Sequence, residues 1–257
     1  ISYSNAQVIC EFGIRFVGGG GAVYSCGISA NNPNGSEITE IHGFHLEGYT
    51  DADVLGVVRV NGSLGTAFPP VFCQRFPNIQ AFGLFNTGIT EITDASFSGC
   101  NSVNYLSILT NRISSISQNA FVNNQNLTYI DLDSNQLTTL PENVFASLGN
   151  LATLDLRNNP FENIPAGAFN GLGALSTLFL QNSRLTAINP AWFAATPNLI
   201  SLYLYNNNIS EFNAAAFTGL SNLQTLDMGG NNISGINENS FVGLENLSYL
   251  SLNDNFF

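Results

Sequence analysis

Apolar positions recur along this chain with a period of 24 residues. Seven complete units occupy residues 79–246, and an eighth unit begins and breaks off. The units begin at Ile79, Val103, Leu127, Leu151, Leu175, Leu199, Leu223 and Leu247. One clean unit has, at its recurring positions, Leu151, Leu154, Leu156, Asn159, Phe161, Ile164, Phe169 and Leu172. Self-similarity at a fixed period of this length predicts a repeat architecture in which neighbouring units stack.

The first part of each unit, L-x-x-L-x-L, predicts a short strand. Neighbouring residues of a strand face opposite sides, so the leucines point to the core and the residues between them point away from it. One unit cannot bury its apolar face alone, and stacking places the strands about 4.8 Å apart in a parallel sheet. The convex side of the core is filled by a spine of phenylalanines: Phe97, Phe121, Phe145, Phe169, Phe193, Phe217 and Phe241.

The ninth position of the unit predicts a ladder of buried polar side chains. An asparagine amide both donates and accepts hydrogen bonds, so it can satisfy the backbone of a buried turn. Thr87 and Ser183 replace asparagine in two units, and we expect their hydroxyls to bond the backbone as well. The segments after the ladder are short and contain Gly or Pro, which predicts irregular turns and short 3₁₀ pieces rather than full helices.

This pattern resembles the extracellular, 24-residue type of leucine-rich repeat, over about two thirds of the chain. The resemblance implies the α/β fold class: a curved leucine-rich-repeat solenoid with a concave parallel sheet. The stretch from Cys10 to Asn78, with Ile41-His42-Gly43-Phe44-His45, is also similar to N-terminal regions of secreted arthropod leucine-rich-repeat proteins. Ligand binding at the concave face is what the resemblance implies for function.

Residues 1–54 are predicted to form a cap with a degenerate repeat, and residues 55–257 the solenoid, because an uncapped end would expose its core. The strand of a degenerate repeat fits Ile38, Ile41, Phe44 and Leu46, and the strand of the next repeat fits Leu55, Val58 and Val60. The chain stops inside a repeat at Phe256-Phe257. We therefore expect either that the native protein continues or that the end of one subunit packs against another.

All four cysteines lie in the first 100 residues, which favours local disulfides over a metal site. Cys10 and Cys26 bracket the glycine-rich turn Gly18–Gly21 and would close a hairpin-like cap. Stacking could bring Cys73 to Cys100, so we predict these two pairs among the three possible pairings. With the cysteines, six N-x-[ST] sequons favour a secreted glycoprotein: Asn34, Asn61, Asn126, Asn208, Asn232 and Asn246.

Composition excludes several classes of protein. The chain has 257 residues, of which 44% are hydrophobic and 9% charged, so it is not a disordered chain. Its 18 acidic residues outnumber 6 basic ones, all arginine, and a net charge of −12 argues against nucleic-acid partners. No apolar stretch reaches the roughly 18 residues of a membrane span.

The residues between the strand leucines predict a ligand-binding patch on the concave face, centred on the third to sixth units. Tyrosine offers rigid contact area with a polar tip, which suits recognition of a protein or a glycan. The other interpretation is a solvated sheet face with an ordinary Asp–Arg pair. The candidate residues are Tyr105, Tyr129, Asp131, Asp133, Asp155, Arg157, Phe179, Tyr203, Tyr205, Asp227 and Tyr249.

Catalysis and metal binding are disfavoured alternatives. Asp131 and Asp155 could share a proton, or hold calcium with Asp133, but an open sheet lacks the enclosure that shifts a carboxylate pKa. The only histidines, His42 and His45, face opposite sides of a strand-like segment. We therefore expect no enzyme activity, no cofactor and no metal. The alternative function is a structural extracellular protein that self-assembles end to end.

Overall fold

The computed structural model describes residues 7–16, 22–31, 41, 42, 50, 54, 56–62, 64–210, 212 and 216–257, with backbone alone for 7–16, 22–31, 41, 42 and 57–62. The described strands are β1 Gln7–Phe16, β2 Ala22–Asn31, β3 Ile41–His42, β4 Gly56–Gly62, β5 Ala81–Gly83, β6 Glu91–Ile92, β7 Tyr105–Ser107, β8 Ser115–Ile116, β9 Tyr129–Asp131, β10 Thr153–Asp155, β11 Thr177–Phe179, β12 Ser201–Tyr203, β13 Thr225–Asp227 and β14 Tyr249–Ser251.

Twelve of these strands form one sheet in the order β14-β13-β12-β11-β10-β9-β7-β5-β4-β2-β1-β3, and β6 pairs with β8 separately. From β4 to β14 every neighbouring pair is parallel. Leu154, for example, lies opposite Ile130 on one side and Leu178 on the other. This arrangement confirms the leucine-rich-repeat solenoid that the sequence pattern predicts.

Regular helix is nearly absent from the described residues. One short α-helix, α1, spans Val71–Arg75, and one 3₁₀ helix spans Pro190–Phe193. The 3₁₀ helix begins at a proline, and the side chain of Asn189 caps it by accepting from the backbone N–H of Ala191. The remaining convex segments are turns, as their length and their Gly and Pro content predict.

The core holds the strand leucines on one side and the phenylalanine spine on the other. Phe97, Phe121 and Phe145 stack with centroid distances of 6.0 and 5.8 Å. Trp192 then meets Phe169 and Phe193 edge to face, each at 6.3 Å. Continuous burial of this spine from unit to unit supplies the main driving force for stacking.

The asparagine ladder forms as predicted at most of its positions. Asn159 is fully buried, its Nδ2 donates to three backbone carbonyls, and its Oδ1 accepts from the N–H of Leu137. The expectation for the two substituted positions is wrong. The hydroxyl of Thr87 donates to the Asn111 side chain instead of the backbone, and the buried Oγ of Ser183 has no partner among the described residues.

The N-terminal strands form a long hairpin that continues the sheet. β1 and β2 are antiparallel, and β2 then pairs in parallel with β4. The degenerate repeat strand expected from Ile38 to Leu46 does not lie next to β4 in the stack of parallel strands. Its described part, β3, pairs with β1 at the far edge of the sheet, because the hairpin already occupies the edge of β4.

The two predicted disulfides have different outcomes. Cys73 and Cys100 are bonded, with their Cα atoms 4.9 Å apart, which confirms that stacking brings them together. The side chains of Cys10 and Cys26 lie outside the described residues. In the hairpin register Cys10 lies opposite Ile28, and Cys26 lies opposite Phe12. No helix in the described part of the chain is long and apolar enough to cross a membrane.

Candidate ligand-binding site

Two aromatic pairs lie on the concave face, each between neighbouring strands. Tyr105 on β7 and Tyr129 on β9 stack with centroids 4.6 Å apart and planes 3° apart. Phe179 on β11 and Tyr203 on β12 stack at 4.8 Å and 8°. The parallel register causes both contacts, because residues 24 apart occupy directly opposed positions.

Aspartates between the two aromatic pairs are fixed by the strand ends. The Oδ1 of Asp131 accepts from the N–H of Asp133 at 2.9 Å, and the Oδ1 of Asp155 accepts from the N–H of Arg157 at 3.1 Å. A short side chain that bonds the backbone two residues ahead stabilises a turn. The carboxylates therefore have a structural role in ending their strands, and their second oxygens pair with other side chains of the face.

Arg157 joins the carboxylates to the second aromatic pair. Its Nη2 lies 2.9 Å from Oδ2 of Asp155, and its Nε lies 3.5 Å from Oδ2 of Asp133. Its guanidinium also lies over the ring of Phe179, 5.4 Å from the centroid. A planar cation can pair with a carboxylate and an aromatic face at the same time.

These side chains form one continuous surface, which we call the concave cluster: Tyr105, Tyr129, Asp131, Asp133, Asp155, Arg157, Phe179 and Tyr203. The structure brings Asp131 beside Asp155 in register, and Asp133 beside Arg157, as the sequence predicts. Ser107 extends the cluster by donating from its hydroxyl to Oδ2 of Asp131 at 3.1 Å. Six of its eight members are half-buried and partly accessible, whereas Asp131 and Asp155 are buried.

Burial controls the electrostatics of the concave cluster. It raises the pKa of the Asp155 carboxyl to about 7, against the lowering effect of the Arg157 N–H and guanidinium. Burial also raises the pKa of Asp131, which is 7% exposed. The phenol pKa of Tyr129 is raised by burial and then by the charge of Asp131. Three carboxyl groups thus share one guanidinium in a partly desolvated site.

Three predicted residues lie outside the concave cluster. Tyr205 is half-buried two residues beyond Tyr203 and stacks on no described ring. Asp227 accepts from the N–H of Gly229 at 3.1 Å, so it repeats the turn-stabilising bond of the other aspartates. Tyr249 is 53% exposed on β14, two strands from Tyr203.

The carboxylates of the concave cluster already have protein partners. No group of three His, Cys, Asp or Glu side chains among the described residues is arranged to hold a metal ion. The carboxylates are occupied by backbone N–H groups, a hydroxyl and a guanidinium. The arrangement is suited to binding, since it offers aromatic area, hydrogen-bond acceptors and a local negative charge.

The side-chain amides of four described sequons divide into two that are hydrogen-bonded and two that are not. Asn126 and Asn246 donate from Nδ2 to backbone carbonyls of the preceding unit, at 2.8 and 2.7 Å. Asn208 and Asn232 are exposed, with no side-chain hydrogen bond to a described residue. The structure does not describe Asn34 or the side chain of Asn61.

Sequence reasoning missed a second ladder on the rim beside the concave face. Asn158 donates to Asp133 at 2.6 Å, Asn182 to Asn158 at 2.8 Å, and Asn206 to Asn182 at 2.9 Å. We call this row of exposed amides the rim ladder. The signal was present at the eighth position of the unit, where small polar residues or glycine recur: Asn86, Thr110, Ser134, Asn158, Asn182, Asn206, Gly230 and Asp254.

Comparison with known families agrees with the architecture. Residues 71–200 match the BspA type leucine rich repeat region in six copies, and residues 197–257 match a leucine rich repeat family. The chain belongs to the leucine-rich-repeat proteins. No curated protein matches it.

Several solved structures are similar to the chain. The crystal structure of the TLR13-ssRNA13 complex has a TM-score of 0.73 and 29% identity, over 79% of this chain and 29% of that one. The Toll–Spatzle complex from Drosophila has a TM-score of 0.63 and 20% identity, over 85% and 33% of the two chains. An octameric complex of Latrophilin 3, Unc5D and FLRT2 has a TM-score of 0.61 and 22% identity, over 79% and 68%. The chain spans about a third of the length of the first two.

Proposed function

We propose that the protein is a non-enzymatic recognition module that binds a protein ligand with its concave cluster. The observation that carries the proposal is the Asp155–Arg157–Phe179 contact with a stacked aromatic pair on each side. Side chains held by stacking and ion pairing lose little further freedom on binding, so their contact area contributes fully to affinity. The similar structures, each a complex, support a binding role.

The charge of the cluster favours a ligand with basic groups. Asp133 and Asp155 pair with one guanidinium, Asp133 is partly exposed, and the whole chain has a net charge of −12. Complementary potentials accelerate encounter and exclude wrong partners. The same sign opposes a nucleic-acid ligand for this chain, although the similar TLR13 was solved with ssRNA.

Ring geometry favours a protein over a glycan on this face. Phe179 has Tyr203 on one side and the Arg157 guanidinium on the other, so both of its faces are covered. Tyr105 and Tyr129 also cover one face of each other. The edges and hydroxyl tips that remain suit side chains and backbone groups of a protein ligand better than flat stacking on a sugar ring.

We also propose an extracellular location and glycosylation of the sequons. The Cys73–Cys100 disulfide and the likeness to Toll and TLR13 support an oxidising compartment. Asn208 and Asn232 are the best acceptors among the described sequons, because their amides are exposed and uncommitted. A glycan on either would extend from the outside of a turn rather than from the sheet.

Ligand capture from extracellular fluid tests the proposed function. The immobilised protein is compared with Phe179→Ala/Tyr203→Ala, and with Val122→Ala as the control, since Val122 is 49% exposed on the convex side. We expect a discrete protein that the wild type and the control retain and the double variant loses. Equal capture by all three would contradict the concave assignment, and capture abolished by glycosidase treatment would indicate a glycan ligand.

End-to-end self-assembly is the second candidate function. Light scattering across a hundredfold range of concentration separates the two functions. Filaments that grow with concentration would favour self-assembly, and a constant mass would favour the recognition module.

A further inference from the structure

A polar groove lies on the rim of the first three complete units, away from the concave cluster. Its volume is about 490 Å³, and no carboxylate lines it. Its lining consists of hydroxyls, amides, a glycine and a guanidinium, and includes Thr87, Gly88, Thr110, Asn111, Arg112 and Gln136. In a chain with 18 acidic residues, a groove free of carboxylates and lined by an arginine is a local exception.

The guanidinium in this groove has no partner within the described part of the chain. The structure describes the side chains of four arginines. Arg75 lies over a phenylalanine ring, and Arg157 and Arg184 each face a carboxylate. Arg112 is exposed and has no ion pair, ring contact or side-chain hydrogen bond with any described residue. It is therefore available to a ligand.

A break in the asparagine ladder leaves backbone donors beside the same groove. In five units the ladder asparagine of the next unit accepts from the N–H at the eleventh position, as Asn135 accepts from Ile113. Asn111 instead accepts from the N–H and the hydroxyl of Thr87, at 2.7 and 2.9 Å. The N–H of Ile89 consequently has no acceptor among the described residues, and the N–H of Gly88, which lines the groove, has none either.

The two lining residues that flank Thr87 have the left-handed backbone found in anion-binding turns. Asn86 and Gly88 both have left-handed φ angles, of 52° and 81°. Successive N–H groups in such turns form concavities that accept anions. The guanidinium of Arg112, from the adjacent unit, adds a formal positive charge to these partial charges.

We propose that this groove binds an anionic sugar, with its carboxylate or sulfate on the N–H of Gly88 and the guanidinium of Arg112, both of which line it. The groove is larger than a single oxyanion requires, and the exposed side chains of Asn86, Thr110 and Gln136 in its lining can exchange hydrogen bonds with sugar hydroxyls. An acidic peptide fits less well, because no apolar side chain lines the groove to hold the rest of the peptide.

Amide NMR titration of the isotope-labelled protein tests this site. Glucuronate, glucosamine 6-sulfate, neutral glucose and inorganic sulfate are added separately, and the Gly88 and Ile89 resonances are followed. We expect both charged sugars to shift these resonances and to bind with at least tenfold higher affinity than glucose. Their affinity should also exceed that of inorganic sulfate. Sulfate binding alone would reduce the site to an anion site and overturn the sugar assignment.

Arginine variants complete the test. Arg112→Gln should weaken binding of the charged sugars at least tenfold, and Arg112→Lys should retain most of it. Arg184→Gln is the matched control, because Arg184 has the same position in its unit but lies 3.8 Å from Glu162. Equal affinity in Arg112→Gln and Arg184→Gln, or unmoved Gly88 and Ile89 resonances, would overturn the proposal.

Discussion

The amide Nδ2 of Asn158 donates a hydrogen bond of 2.6 Å to the carboxylate of Asp133. A carboxylate can only accept, so this bond fixes which way the Asn158 amide faces. Asn158 then presents its oxygen to Asn182, and Asn182 presents its oxygen to Asn206. One charged residue of the concave cluster thus sets the polarity of the whole rim ladder.

Cutting the rim ladder should cost a measurable amount of stability. Asn182→Gly removes the middle amide of the rim ladder. Glycine tolerates the left-handed backbone at this position, where φ is 56°, and Gly230 occupies the same position of its own unit. Two exposed hydrogen bonds are lost, so we expect a decrease of about 1 kcal/mol in the free energy of unfolding. Urea denaturation measures it.

The control for this variant is Asn163→Gly, on an exposed asparagine without a side-chain hydrogen bond to a described residue. The backbone angle of Asn163 is not left-handed, so the control includes the backbone cost of glycine. A larger loss in Asn163→Gly than in Asn182→Gly would show that the rim amides do not stabilise the fold.

The raised pKa of Asp155 predicts a pH-dependent stability. The pKa of about 7 in the folded protein exceeds the ordinary aspartate pKa of 3.8. Between these two pH values the unfolded chain binds fewer protons than the folded protein, so the free energy of unfolding falls as pH rises. We expect the thermal midpoint of Asp155→Asn to fall less than that of the wild type from pH 5 to pH 8.

The carboxyl ¹³C shift of Asp155 gives the pKa directly and should titrate with a midpoint near 7. Glu238→Gln, on an exposed side chain, serves as the control and should show the same pH dependence as the wild type. A midpoint below 4 would mean that the guanidinium of Arg157 outweighs burial, and the predicted pH dependence would then be absent.

The strand positions and their register follow from the sequence, because apolar periodicity alone determines which residues face the core and which neighbours lie opposite. The concave residues Asp131 and Asp155 could therefore be placed side by side from spacing. The stacking of Tyr105 on Tyr129 could have been inferred in the same way, since both occupy the same position of adjacent units.

Other features depend on side-chain rotamers and on irregular turns. The Arg157 contact with Phe179 requires a particular direction of a long, flexible side chain, which spacing does not specify. The predicted position of β3 is wrong, because the weak repeat pattern around Ile41 indicates a strand stacked before β4, whereas β3 pairs with β1 at the sheet edge. The unbonded hydroxyl of Ser183 reflects the short reach of serine compared with asparagine.

The buried ladder should be far more sensitive to substitution than the rim ladder. Asn159→Ala leaves three carbonyls and the N–H of Leu137 without their side-chain partner inside the solenoid. An unsatisfied buried group costs about 1–3 kcal/mol, so we expect a loss of about 3 kcal/mol or more. Urea denaturation of Asn159→Ala beside Asn163→Ala measures it, and equal stability of the two variants would contradict the ladder's role.

The Cys73–Cys100 disulfide should stabilise the N-terminal units by restricting the unfolded chain. It closes a loop with a sequence separation of 27, and both cysteines are buried. For a loop of this size the loss on removal is about 3–4 kcal/mol. We expect Cys73→Ala/Cys100→Ala to unfold at a correspondingly lower urea concentration. The wild type, when unfolded and refolded in reductant, should show the same decrease in the free energy of unfolding. A double variant as stable as the wild type would show that stacking of Phe72, Phe76 and Phe97 alone holds these units together.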